Sequence, residues 1–530
     1  MTNLIAGALA PARCWGAACL LGFCLSGLAA ADAAKSVELE DPYLWLEDVT
    51  GERALEWVKS QNAVSTQELE GAPECETIRS NLLAILDSKE RIPYVAKHGA
   101  FFYNFWRDEK NPRGVWRRTT LVEYRQAAPA WEVVLDLDRL AEKEKENWVW
   151  KGYSVLYPSY DRCLVFLSRG GADATVVREF DLKQPGFVAG GFVLPEAKSD
   201  VAWRNRDTLY VGTDFGPGSL TTSGYPRIIK EWRRGTPLTS AQTVFEGKAE
   251  DVRVGVSVVH DHGFTYELIG RAKTFFTSED HVRRGDEWVK INKPDDARLS
   301  TFADQLLLRL RSDWTVDKQT FPAGALVGAD FESCLRGQPV FEALYLPSER
   351  RSLAGTTDTK HYLILTELDN VRNRLQALKR ENGKWTRAPI ATPEFGSVSI
   401  NGIDPDESDD YFLTVSDYLT PSSLYLGTVG KAEREKLKSL PAFFNAEGLE
   451  ISQHEALSKD GTRVPYFQVS RKALPLDGRN PTLLYGYGGF EIPLLPNYNA
   501  SVGSAWLQRG GTFVVANIRG GGEFGPKWHE

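Results

Sequence analysis

Apolar and polar positions change their period twice along this chain. Between about residue 92 and residue 429, short apolar or alternating runs follow one another, among them Phe101–Trp106, Glu132–Leu137, Leu164–Ser168, Val176–Leu182, Thr208–Gly212, Phe264–Ile269, Leu306–Leu310, Tyr362–Thr366 and Tyr411–Val415. Gly170-Gly171, Gly216-Pro217-Gly218 and Asn382-Gly383 punctuate them. Runs of this length between turn residues predict strands, roughly two dozen of them, spaced about 8–14 residues apart. That number exceeds one sandwich. Radial repetition protects strand edges best, and at about four strands per blade the region holds about six to eight blades, with seven expected. No repeat motif is visible, so the propeller expectation rests on strand number and length.

The flanks read differently. Residues 51–70 predict a helix with Leu55, Val58 and Leu69 near one face, and residues 76–87 predict a second, with Ile78, Leu82, Ile85 and Leu86 at helical spacing. Both are expected to pack on a neighbouring domain. Lys431–Lys438 reads as a charged helix that ends the β-region. Beyond it Leu449–Ser458 alternates, Asp460-Gly461 signals a hairpin turn, and Val464–Ser470 returns. A strand at Thr482–Tyr485, a helix over about 499–509 stopped by Gly510-Gly511, and a strand at Thr512–Ile518 follow. Hairpin, strand, helix, strand is the opening of an α/β-hydrolase sheet. The chain is therefore expected to be multidomain, a seven-bladed β-propeller plus the first part of an α/β-hydrolase domain. The expected divisions are 1–33, a signal peptide; 34–90, an extended segment and helices; 91–430, the propeller; and 431–530, an incomplete hydrolase domain.

The remaining signals narrow the function. With 530 residues, more than one core is expected, and 42% hydrophobic and 11% aromatic residues describe a globular protein. A net charge of -8 without any basic run argues against nucleic-acid binding. Residues 14–31 carry no charge, follow Arg13, and end in small residues that offer Ala-x-Ala cleavage choices, which is the pattern of an exported protein, periplasmic or secreted. Cys14, Cys19 and Cys24 fall in that segment, so Cys75, Cys163 and Cys334 are expected to be ordinary thiols, neither a disulfide framework nor a metal motif. No cofactor is called for, no membrane contact after cleavage, and the expected state is a monomer.

The candidate chemistry lies where two apolar strands run into glycines, at Tyr485-Gly-Tyr-Gly-Gly-Phe490 and Asn517-Ile-Arg-Gly-Gly-Gly-Glu-Phe-Gly525. Such strand ends let backbone approach a ligand. In a hydrolase sheet the first of them is the oxyanion-hole loop. Tyr487 could donate there to a tetrahedral intermediate, or pack in the sheet as Tyr485 does; residue type alone leaves both open. Phe490 could line a pocket for an apolar side chain or pack in a core. Arg519 and Glu523 bracket the second cluster, and their simplest role is an ion pair bracing the loop. His529 precedes any nucleophile and is a poor candidate base. His260-Asp261-His262 and His281 lack a recognisable third ligand, so a solvated loop is expected and no metal. The nucleophile itself is missing. Gly152-Tyr153-Ser154 and Gly255-Val256-Ser257 are the only Gly-x-Ser triplets, and neither continues to Gly.

At these residues the chain resembles the prolyl oligopeptidase family of serine peptidases. Asp41-Pro-Tyr-Leu-Trp-Leu-Glu-Asp48 is similar to the family's N-terminal signature and Ser458-Lys-Asp-Gly-Thr-Arg-Val-Pro-Tyr466 to the opening of its catalytic domain. Both glycine motifs, with Trp528-His529, are highly specific to the family, and the form Tyr-Gly-Tyr-Gly-Gly-Phe with Asn-Ile-Arg is closer to its prolyl branch than to the Lys/Arg-cleaving branch. The resemblance implies a seven-bladed propeller capping an α/β-hydrolase domain, cleavage of short peptides after proline, exclusion of folded proteins by the propeller, and an oxyanion role for Tyr487. It also implies that the Ser, Asp and His of the triad have no counterpart in these residues, so the chain is expected to be an inactive fragment cut before the catalytic Ser. The alternative is a non-catalytic propeller that binds peptides or a partner.

Overall fold

The computed structural model describes residues 41–530 apart from 49, 394 and 395. The expected signal peptide lies outside the described residues. The chain divides into two compact units, Met1–Leu83 and Ala84–Glu530. In the first, the helix Glu52–Glu70 and most of the helix Cys75–Leu86 stand where the apolar spacing placed them. Trp45 meets Trp57 edge to face at 6.1 Å, and Arg53 lies over the Trp45 ring at 4.2 Å. Among the described residues no helix is long and apolar enough to cross a membrane.

The second unit carries seven successive antiparallel sheets and one mixed sheet. The seven begin at Ala96, Trp148, Asp200, Arg253, Arg298, Arg351 and Ser397, and each is built from contiguous sequence. All seven have four strands in their main path. The second adds a fifth strand, Val193–Ala197, and the fifth sheet holds an inserted hairpin, Trp314–Val316 with Gln319–Phe321.

What makes them a ring is where their side chains go. One buried cluster joins the first sheet to the second through Trp116, Leu167 and Phe180. Another joins the second to the third through Leu164, Trp203 and Trp232. The pattern continues pairwise to the seventh sheet. A last cluster, with Tyr124 of the short helix between the third and fourth strands of the first sheet against Leu424 and Leu437 of the seventh, closes the circle. Alternation within one strand serves both neighbours. In Gln305–Arg309, Leu306 and Leu308 face the fourth sheet while Leu307 faces the sixth. A strand buried on both sides reads as a continuous apolar run. Among the described residues no strand is shared across the closure, so side chains hold it. Lys97 reaches Asp404 at 2.5 Å and Glu407 at 2.7 Å, and Arg125 reaches Glu435 at 3.0 Å.

The charged stretch after residue 430 is a correction. Arg434–Ser439 is the outer strand of the seventh sheet, paired with Ser423–Thr428, not a helix, so the last blade runs on to Ser439. Leu437 is its buried position, and the alternating charges point outward along an edge.

The mixed sheet has the strand order Leu449–Leu457, Arg463–Arg471, Thr512–Ala516, Thr482–Gly486. Chain order one-two-four-three, with the last two strands parallel, is the opening of a hydrolase sheet. The expected helix splits into Ala500–Ala505 and a short turn Leu507–Arg509, ended by Gly510 at φ 96°. This sheet meets the ring where first strands begin and where second strands turn into third. Ser352 donates to the Glu523 carbonyl at 2.8 Å, and Gln453 donates to the Asn370 carbonyl at 2.9 Å. The turns between first and second strands therefore gather at the opposite end. There Tyr157 of the second sheet stacks on His260 of the fourth at 4.2 Å, and burial together with the nearby Asp406 carboxylate of the seventh raises the Tyr157 pKa. These sheets are not neighbours, so the contacts span the axis of the ring.

Candidate active site

Thr482–Gly486 and Thr512–Ala516 run parallel, Thr482 opposite Thr512 and Gly486 opposite Ala516. Both glycine clusters therefore leave the sheet at the same carboxyl end, where open α/β sheets bind ligands. The clusters pack backbone to backbone. A Cβ on Gly520, whose φ is 94°, would fall 2.0 Å from the Gly488 carbonyl oxygen, and one on Gly488 would fall 2.4 Å from that of Arg519. Only glycine allows this approach. The Glu491 N–H donates to the Gly520 carbonyl at 3.2 Å and ties the loops together.

Tyr487 stands at the tip. Its ring folds over Gly489, where a Cβ would come 2.5 Å from the hydroxyl oxygen. It is 37% exposed, and no hydrogen bond within the described residues occupies its hydroxyl. Phe490 is half-exposed and sits against Phe275 of the fourth sheet, with ring centroids 5.6 Å apart. It lines a cleft of about 280 Å³ together with Phe276, Arg309, Arg311 and Pro526. Phe490 and Glu491 hold φ values of 58° and 59°. Two consecutive side-chain-bearing residues in the left-handed region cost roughly 1–3 kcal/mol each, so the surroundings must hold them. Arg311 of the ring does so, pairing with Glu491 at 2.7 Å while its guanidinium lies 4.0 Å over Phe276. A larger cleft of about 530 Å³, lined by Arg350, Arg372 and His454, touches neither glycine loop.

Arg519 and Glu523 do not pair with each other, which corrects the expected ion pair. Arg519 turns to the hairpin, where it bonds the Asp460 carboxylate and the Ser458 hydroxyl. The guanidinium, helped by the Thr462 N–H, holds the Asp460 carboxyl well below its ordinary range. Glu523 is fully buried instead. Its Oε1 accepts from the Leu494 N–H at 2.8 Å and from Asn517 Nδ2 at 3.0 Å, while Oε2 has no partner. Burial raises its pKa. Both residues brace the loops, in separate directions.

His529 Nδ1 lies 2.6 Å from the Gly520 carbonyl, a bond that fixes the loop. The His260–His262 segment is not a solvated loop. His262 Nε2 donates to the Thr359 carbonyl at 2.9 Å and Nδ1 bonds Asp261, which also takes the Ala303 N–H at 3.1 Å. Asp358 completes a group whose ligand atoms lie within 4.8 Å of one another, but both imidazole nitrogens are engaged as donors. Burial disfavours the charge on His262, yet Asp261 and the carbonyl outweigh it and raise the pKa to about 8. The segment latches the fourth, fifth and sixth sheets. Cys163 and Cys334 are buried free thiols.

Residues 29–439 match the model of the prolyl oligopeptidase N-terminal beta-propeller domain. The chain belongs to the prolyl oligopeptidase family. It is 40% identical over 509 residues to an uncharacterized peptidase of Sinorhizobium fredii, covering 93% of this chain and 70% of that protein. It is 26% identical to a prolyl endopeptidase of Elizabethkingia meningoseptica over 93% of this chain and 67% of that one. Among solved structures, a post-proline cleaving enzyme from Rickettsia typhi superposes with a TM-score of 0.84 at 30% identity, covering 92% of this chain and 73% of that one. The family is one of peptidases, and peptides are what such relatives act on. Within it, sequence reasoning missed Arg311, Asn517 and Ser352. Asn517 stood inside a quoted motif. The other two carry no local signal, since each acts on a residue at least 170 positions away.

Proposed function

We propose that these residues form the gated, oxyanion-stabilising portion of a serine-type oligopeptidase that cleaves short peptides after proline. The observation that carries the reading is Tyr487, with an unengaged hydroxyl at the tip of two glycine loops locked back to back. A donor so placed meets the charge that develops on a carbonyl oxygen during attack. Phe490 supplies an apolar wall beside it, suited to a proline ring. The strand Thr482–Gly486 is an edge with one side unpaired in the sheet order, so a further parallel strand delivering a nucleophile would land next to Tyr487. Gating is supported by Tyr157, His260 and Asp406 meeting across the ring axis. No serine of the 530 residues lies on a Gly-x-Ser-x-Gly turn, and the reading assigns the bond-breaking role to none of them.

The 530-residue chain alone should therefore neither turn over proline peptides nor take a fluorophosphonate label; covalent labelling at any serine would overturn that assignment. Joined to the part of the Sinorhizobium relative that it does not span, it should hydrolyse short proline peptides. There Tyr487→Phe should lower kcat by about 10²-fold or more, in line with loss of one oxyanion donor. An unchanged kcat would remove Tyr487 from the chemistry.

A further inference from the structure

The cleft beside Phe490 holds a charge arrangement that the oxyanion reading does not use. Arg298 and Arg309 stand directly opposite each other on neighbouring strands of the fifth sheet, and both line this cleft. Like charges in that position destabilise a sheet. Arg309 donates to the carbonyls of Leu353 at 2.6 Å and Ala354 at 3.5 Å, and no carboxylate of the described residues pairs with it. Burial lowers its pKa, and the repulsion of Arg298 adds to this against the attraction of Glu491. Arg298 is exposed and likewise has no ion-pair partner among the described residues. The other charges at the cleft are Arg311, already paired to Glu491, and Asp296, which lies within ion-pair distance of neither arginine. The wall is thus left with net positive charge, and a partly buried cation without a counter-ion is costly until an anion arrives.

We infer that the Arg298–Arg309 pair binds a carboxylate of the peptide substrate, making this cleft an acid-preferring subsite next to the proline pocket. The inference rests on the peptidase reading above, since Phe490 joins the two. The carboxylate belongs either to an acidic side chain or to a peptide C-terminus; an Arg fork suits both.

Binding of fluorescent short peptides to the 530-residue chain tests it. The probes are a blocked Glu-Ala-Pro amide, its Gln-Ala-Pro isostere, and the Gln-Ala-Pro free acid. The Glu peptide or the free acid should bind about tenfold or more tighter than the neutral amide, a preference that shrinks as salt is raised. Whichever of the two gains identifies the source of the carboxylate. Arg298→Gln, at an exposed position, should abolish the preference while leaving the neutral peptide unchanged, and Arg309→Lys should keep part of it. Equal binding of all three peptides overturns the subsite and leaves the peptidase reading standing. Binding of none overturns both.

Discussion

The ring and the mixed sheet use the same kind of apolar strand to different ends. Leu307 in the fifth sheet is 1% exposed, whereas Leu484, mid-strand in Thr482–Gly486, is 68% exposed. In the ring each strand has a sheet on either side, so alternate side chains fill two cores. In the mixed sheet only the face toward Phe467, Val469 and Phe513 is filled. The ring is therefore closed on itself in both its packing and its ends. The mixed sheet is closed only where it meets the ring, and it keeps its glycine loops and one edge open.

The largest expected effect tests that contrast directly. Leu307→Ala should cost about 2–5 kcal/mol in urea unfolding, the range for a filled core. Leu484→Ala should stay within about 0.5 kcal/mol. Equal losses would mean that the edge is covered in solution and the contrast is false. Next in size is the brace under the glycine loops. Asn517→Ala strands buried acceptors and should cost about 1–3 kcal/mol. Glu523→Gln should be neutral or stabilising by comparison, because burial raises the Glu523 pKa above its ordinary 4.5 and its ionisation opposes folding. A Glu523→Gln loss as large as that of Asn517→Ala would show that the negative charge itself is needed.

The smallest effect belongs to the ring alone. His262 is held at a pKa of about 8 against an ordinary 6.5. A group raised in the folded state contributes fully below about pH 6.5, and its contribution is lost as pH rises through 8. The whole effect is at most about 2 kcal/mol. Tm should fall across that window in the parent and stay flatter in His262→Gln. An identical slope in both would remove the Asp261–His262–Thr359 latch from the ring's stability.

Much of this was legible in the residues. The Asp460-Gly461 hairpin and the Gly510 stop follow from turn residues, and strand number and spacing bring the ring to about six to eight blades, which the family resemblance narrows to the seven observed. Arg434–Ser439 was misread because Lys, Glu, Arg and Leu favour a helix in isolation. The neighbouring strand Ser423–Thr428 offered backbone partners, and Leu437 offered a core position, which overrode that preference. The Arg519–Glu523 pair failed for a related reason. Proximity in sequence suggested it, but the fold put Asp460 within reach of the guanidinium and sealed the carboxylate under Leu494 and Asn517.

By itself the sequence determined what is local: where the backbone must turn left-handed, where strands begin and stop, and that Gly488 and Gly520 leave room for close approach. Those are properties of a few consecutive residues and their allowed torsions. Only the tertiary structure decided which charges meet. Arg311 finds Glu491 across 180 positions, and Arg298 faces Arg309 with no counter-ion between them. Electrostatic partners are set by distance in space and by shared burial, and neither is written in the spacing of residues along the chain.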